Sequence, residues 1–131
     1  MEKTTDFTEL IVWQKAHQFV LETYSLTSRC PKEERFGITS QIRKASVSIA
    51  ANIAEGYRKR GLRDKVRFLN IAQGSLSECK YYLILIRDLN YGSIEKIAMH
   101  LDEVSRLLNS YQRAIVGREE MRRRGDEEMR R

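Results

Sequence analysis

SIEKIAMHLDEVSRLLNSYQRAIV, residues 93–116, places Ile94, Ile97, Leu101, Val104, Leu108, Tyr111 and Ile115 at alternating steps of three and four. That rhythm is the seam of a helix packed at a shallow angle against neighbours, as in bundles and coiled coils. The preceding stretch repeats it: Leu69, Ala72, Leu76, Cys79, Leu83 and Ile86 advance by the same steps. Asn90-Tyr91-Gly92 separates the two runs, and Ser93 is the expected cap of the second.

Two more helices precede these. From about Thr8 to Ser28, Leu10, Trp13, Val20 and Tyr24 form one stripe, with Val12, Ala16, Phe19 and Leu26 beside it; Cys30-Pro31 ends the run. From about Ile38 to Tyr57, Ile38, Ile42, Ala45, Ile49 and Ile53 share one side. The remaining positions there are small (Ser40, Ser46, Ser48, Ala50, Ala51, Ala54), which lets neighbouring helices approach closely. Gly56 and Gly61 bracket the next turn, and Asp64 is the expected N-cap of the third helix. Four helices of 20–25 residues, each ~30–37 Å long, joined by short loops, predict an all-α, antiparallel up-down-up-down four-helix bundle over residues 1–116. Residues 117–131 repeat Glu-Glu-Met-Arg at 119–122 and 127–130 with almost no other apolar content, and read as a frayed helical extension or a disordered tail.

Composition agrees. One proline and seven glycines in 131 residues are too few for many short strands, and 41% hydrophobic with 32% charged residues suits a folded amphipathic chain. Met1 to Glu9 is polar and has no secretory h-region, and the apolar run Tyr81–Ile86 is far short of a membrane span. A cytoplasmic protein with no membrane partner is expected. Cys30 and Cys79 have no partner spacing for zinc or a disulfide framework; Cys79 reads as a small core residue and Cys30 as a loop thiol.

The net charge of +6 is concentrated. Residues 1–57 carry seven bases and seven acids, and residues 68–116 five of each. Between them Arg58, Lys59, Arg60, Arg63, Lys65 and Arg67 face only Asp64, while residues 117–131 add six arginines and five acids. A single basic corner between the second and third helices is therefore the candidate nucleic-acid-binding site. The competing reading is a solvated turn whose arginines also favour the second helix's dipole. Tyr57 and Phe68 are the only aromatic residues nearby, so base stacking is expected to be minor.

Catalytic and metal patterns are absent from the sequence. His17 and His100 lack a second histidine or cysteine at helical spacing, and each is expected to be partly buried and hydrogen-bonded. Gly56-Tyr57-Arg58-Lys59-Arg60-Gly61 has the glycine spacing of a phosphate loop, but Leu62 and Arg63 stand where Lys and Ser/Thr are needed, and it follows a helix. On the second helix Ser48, Asn52 and Glu55, with Ser75 and Glu78 on the third, read as a polar layer fixing helix register. The alternative is a carboxylate pair, Glu55 with Glu78, for catalysis or metal; bundle metal sites usually add Glu-x-x-His, which the sequence does not contain. No enzyme, cofactor or metal is expected.

Several motifs occur in an order that resembles a known family. They are Leu10 with Val12-Trp13-Gln14-Lys15-Ala16; Pro31 to Gly37; Gln41-Ile42-Arg43-Lys44-Ala45; Ser48-Ile49; Ala51-Asn52-Ile53-Ala54-Glu55-Gly56; and Phe68-Leu69-Asn70-Ile71-Ala72 with Gly74-Ser75 and Glu78. Over residues 7–116 the chain resembles the four-helix-bundle proteins encoded in intervening sequences of bacterial 23S rRNA genes. The family is distantly similar to accessory proteins of diversity-generating retroelements, which bind RNA and a reverse transcriptase. The resemblance implies an up-down bundle assembled as a homopentamer, without enzymatic activity. Ala50 departs from it, standing where relatives often have proline.

The expected function is a non-enzymatic, oligomeric protein that binds structured RNA through its basic corner. The alternative is an interaction scaffold or accessory subunit docking an acidic partner, such as a reverse transcriptase or another nucleic-acid-processing protein. Self-association is expected from apolar surface beyond one core's needs: the double stripe of the first helix, and Tyr81–Ile86, which covers every azimuth of the third. Light scattering at micromolar concentration should return a multiple of 15.4 kDa, five by the resemblance; a value of 15.4 kDa would remove the self-association.

Overall fold

Apolar seams at helical spacing must be covered, and in the computed structural model, which describes residues 4–130, they cover one another. Residues 1–3 and 131 of the two expected segments lie outside those described. The described chain is all-helical: α1 Ile11–Thr27, α2 Ile38–Arg58, α3 Leu62–Asp88 and α4 Glu95–Arg130, with single 3-10 turns at Phe7–Glu9 and Lys32–Glu34. Each α-helix packs against two others, α1 and α3 both against α2 and α4. The result is a four-helix bundle. Its core takes one of the two predicted α1 stripes and most of the other seams: Val12, Ala16 and Phe19 of α1, Ile42, Ile49 and Ile53 of α2, Leu69, Leu83 and Ile86 of α3, and Leu101, Val104 and Leu108 of α4 are buried. The other α1 stripe lies at the rim, with Leu10, Trp13 and Val20 half-buried and Tyr24 exposed, and Tyr111 and Ile115 of α4 are half-buried.

Cross-helix contacts place the ends. Tyr57 near the end of α2 donates to the Thr4 carbonyl at 2.8 Å, and Arg43 Nε donates to Thr27 Oγ1 at 2.9 Å at the other end of α1. Thr23 and Thr27 are buried β-branched residues whose hydroxyls donate to the carbonyls four residues back, so no partner is needed across the core. The small residues of α2 do what their size predicts. A Cβ on Gly56 would stand 3.3 Å from Leu69 and 3.4 Å from the Lys65 carbonyl, so α2 and α3 meet there with no room to spare.

Three helix boundaries differ from the sequence expectation. Helix α1 begins at Ile11, not Thr8, because Phe7–Glu9 closes a 3-10 turn and Leu10 is extended. Helix α3 begins at Leu62 with Gly61 at the cap; Asp64 lies in the first turn, where its charge still favours the dipole. Helix α4's first backbone bond runs from Ala98 to the carbonyl of Ile94, so buried Ile94 supplants Ser93 at the entry. At the far end α4 continues through the acidic-basic segment to Arg130, with every residue from Met121 to Arg130 exposed. Its 36 residues make a rod of ~54 Å. No helix of the described residues is long and apolar enough to cross a membrane.

The outer faces of α1 and α3 retain apolar side chains: Ile11 is 63% exposed, Leu21 58% and Tyr81 58%. Within Tyr81–Ile86 only Leu83 and Ile86 are buried. Cys79 is enclosed in the core, where burial pushes its thiol up to about 12, and Cys30 is half-buried with its thiol raised by the same cause.

Helix α3 stops in a Schellman motif. Tyr91 N–H donates to the Ile86 carbonyl and Asn90 N–H to that of Arg87, with Asn90 in the left-handed region at φ 60°. Asparagine tolerates that region better than other side chains, and glycine better still. Asn90→Ala should therefore destabilise the fold by ~1–2 kcal/mol in urea unfolding, while Asn90→Gly should leave it unchanged or slightly more stable.

Candidate nucleic-acid interface

The basic corner forms because α2 ends at Arg58 and α3 starts at Leu62, leaving only Lys59 to Gly61 to reverse the chain. So short a turn crowds six cations at one end of the bundle, and the structure gives them different tasks. Lys65 reaches back to the last turn of α2, its Nζ donating to the carbonyls of Gly56 at 3.2 Å and Tyr57 at 2.9 Å. It caps the negative end of the helix dipole and is thereby a structural residue. Burial and then the nearby Arg118 charge hold its pKa below the usual lysine value. Lys59 lies 3.7 Å from Glu55 and over the ring of Phe68, with Arg67 also over that ring at 5.5 Å. Phe68 is thus covered by two cations, and the Tyr57 hydroxyl is engaged with Thr4. Arg58, Arg60 and Arg63 are exposed and make no side-chain hydrogen bond or ion pair among the described residues.

Two further arginines arrive from elsewhere. The α4 extension passes over the corner, so that Arg118 and Arg122 line one groove with Arg60 and Lys65, above Tyr57, Tyr111 and Ile115. The one carboxylate of that groove among the described residues, Glu119, is hydrogen-bonded by Arg122 at 2.8 Å, which holds it below the usual carboxylate range. Arg118 and Arg122 were hidden in a segment of net charge +1. Their signal was the seam itself: from Leu108, Tyr111 and Ile115, the three-four alternation continues to Arg118 and Arg122.

The expected polar layer is smaller than the sequence suggested. Ser48 Oγ and Ser75 Oγ lie 2.7 Å apart across α2 and α3, and Asn52 Nδ2 donates to the Ser48 carbonyl at 2.8 Å and to its Oγ at 3.0 Å. Glu55 and Glu78 are not part of it: both are exposed, where neither carboxylate has to be stripped of water. The paired-carboxylate alternative loses its enclosed site for the same reason. On α3, Asn70 and Gln73 face α4, where Gln112 donates to Asn70 and Gln73 to Asn109, each at 2.8 Å.

The histidines differ from each other. His17 is exposed and stacks on Trp13 at 5.1 Å, contrary to the expectation of partial burial. His100 is half-buried and bonds the Glu22 carboxylate across α1 and α4. Among the described residues no group of three or more His, Cys, Asp and Glu side chains could hold a metal.

With this geometry in view, the model of the 23S rRNA-intervening sequence proteins matches residues 8–110. The chain belongs to this family. The match stops before Gly117, so Arg118 and Arg122 lie beyond the family's shared segment. Among solved structures, a protein of unknown function from the S23 ribosomal protein family of Bacteroides thetaiotaomicron is similar at 28% identity and a TM-score of 0.73, over 79% of this chain and 96% of that one. No curated protein matches.

The division of labour among the cations can be measured. Lys65→Met should lower stability by ~0.5–1.5 kcal/mol through the lost cap, whereas Arg58→Ala and Arg60→Ala should stay within about 0.5 kcal/mol of the parent protein in urea unfolding. Equal effects for all three would mean that Lys65 is not the capping residue.

Proposed function

We propose that this member of the family is a non-enzymatic, oligomeric RNA-binding protein that uses the basic end of its bundle. One observation carries the reading: Arg58, Arg60 and Arg63 are exposed and free of partners among the described residues, and Arg118 and Arg122 of α4 share a groove with Arg60 in which Glu119 is the one carboxylate among those residues. Phosphate contact is the chemistry such a cluster supplies. The covered Phe68 and engaged Tyr57 leave little for base stacking, so a structured RNA is bound by backbone and shape, with weak sequence preference. Exposed apolar residues on α1 and α3, opposite each other in the bundle, support self-association on two faces. Cyclic assembly, five-fold by the family's pattern, would repeat the basic end and multiply its weak contacts.

RNA affinity measured across a salt series tests this. The log–log slope should flatten by ~0.7–0.9 for each phosphate contact removed in Arg58→Ala, Arg60→Ala, Arg63→Ala, and again in Arg118→Ala, Arg122→Ala. Slopes equal to wild type, or no binding by wild type at low salt, would reject RNA and turn the basic end toward an acidic protein partner such as a polymerase surface.

A further inference from the structure

Past the groove α4 runs on to Arg130, and every residue from Met121 to Arg130 is exposed. Its sequence there, EEMRRRGDEEMRR over residues 119–131, is a mirror about Gly125 in which every charge changes sign. Arg124 reflects onto Asp126, Arg123 onto Glu127, Arg122 onto Glu128, Met121 onto Met129 and Glu120 onto Arg130. The last pair, Glu119 with Arg131, includes a residue outside those described. A helix placed antiparallel to a second copy of itself, with the two-fold axis at Gly125, brings each residue level with its mirror image. We propose that this arm is a self-association element, pairing antiparallel with the arm of a second copy of the chain.

Helix geometry supports the pairing. At about 100° per residue, Met121 and Met129 sit about 40° to either side of Gly125, so the three form one narrow stripe. Both methionines are exposed, at 73% and 86%, and nothing lies within 4 Å of a Cβ on Gly125. The glycine at the crossing point lets the two backbones approach closely, and each methionine stands level with the other methionine of the second copy. Flanking the stripe, Arg122 lies beside Asp126 of the second copy on one side, and Arg124 beside its Glu128 on the other. The two-fold axis doubles each pair, giving four.

Stability of a lone helix does not account for this sequence. A glycine in a helix interior is unfavourable by about 1 kcal/mol relative to alanine, and the acids 126–128 lie near a helix C-terminus, where the dipole opposes them. Bases placed four residues before acids, as in Arg124 and Glu128, form the weaker order of intrahelical pair. Among the described residues Arg124, Asp126, Glu127, Glu128 and Arg130 make no hydrogen bond or ion pair. A second copy supplies partners for Arg124, Asp126 and Glu128, while Glu127 and Arg130 stay on the solvent side of the pair. A short seam of this kind is weak singly, and it would gain from the cyclic assembly proposed above, which gathers several arms.

The test needs no RNA, so its failure is separate from that of the RNA reading. In a Cys30→Ser background of the full chain, Gly125→Cys should form a disulfide-linked dimer under mild oxidation at least ~10-fold faster than Arg123→Cys, which lies on the opposite azimuth. Adding Arg122→Glu with Arg124→Glu to Gly125→Cys should abolish that advantage, as should adding Asp126→Arg with Glu128→Arg. Mixing the acidic and basic variants should restore it, because every flanking pair is then complementary again. Circular dichroism of each variant checks that the helices are intact. Equal rates for Gly125→Cys and Arg123→Cys, or a mixture no faster than its components, would overturn the proposal.

Discussion

The close approach of α2 to α3 is the constraint on which the rest of the molecule depends. It requires small side chains along α2, and at Gly56 a Cβ would stand only 3.3 Å from Leu69. Because the two helices meet so tightly, three residues suffice to join them. Because the join is so short, the carbonyls ending α2 fall within reach of Lys65 one turn into α3. The cap, the turn and the crowding of cations at that end are consequences of one packing contact. The Ser48–Ser75 bridge, midway along the same helix pair, crosses at a position where larger residues would hold the helices apart.

The second organising feature is that α4 is longer than the space it has to cover. Up to Ile115 its seam faces the core; past that point the same alternation presents Arg118 and Arg122. An apolar seam thus changes into a basic one without a change of helix. The field around the corner therefore comes from two distant segments, and Arg118 acts on Lys65 although 53 residues separate them in sequence. Concentration of like charge at one end is unfavourable within the monomer and is offset by the helix dipole, by the Phe68 ring and by Glu119. Arg60 and Arg63 have no such partner among the described residues, and Arg58 has only the dipole of α2, in whose last turn it lies.

What the sequence determined by itself is the class of the fold and the location of its charge. Seams with a three-four rhythm have one stable resolution, burial against other helices, and the predicted seams of α2, α3 and most of α4 are the core. The +5 concentrated at residues 58–67 is likewise a property of composition alone. Tertiary structure decided which cations are engaged: Lys65 became a cap and Lys59 an ion-pair partner, since those roles depend on where carbonyls and carboxylates lie in space. It also removed Glu55 and Glu78 from the polar layer. Residues three apart on a helix differ by only about 60° of azimuth, and that small step separates a half-buried Asn52 from an exposed Glu55. Arg118 and Arg122 were the largest omission. A segment's net charge averages over its faces, and only the course of α4 across the corner selects the face that matters.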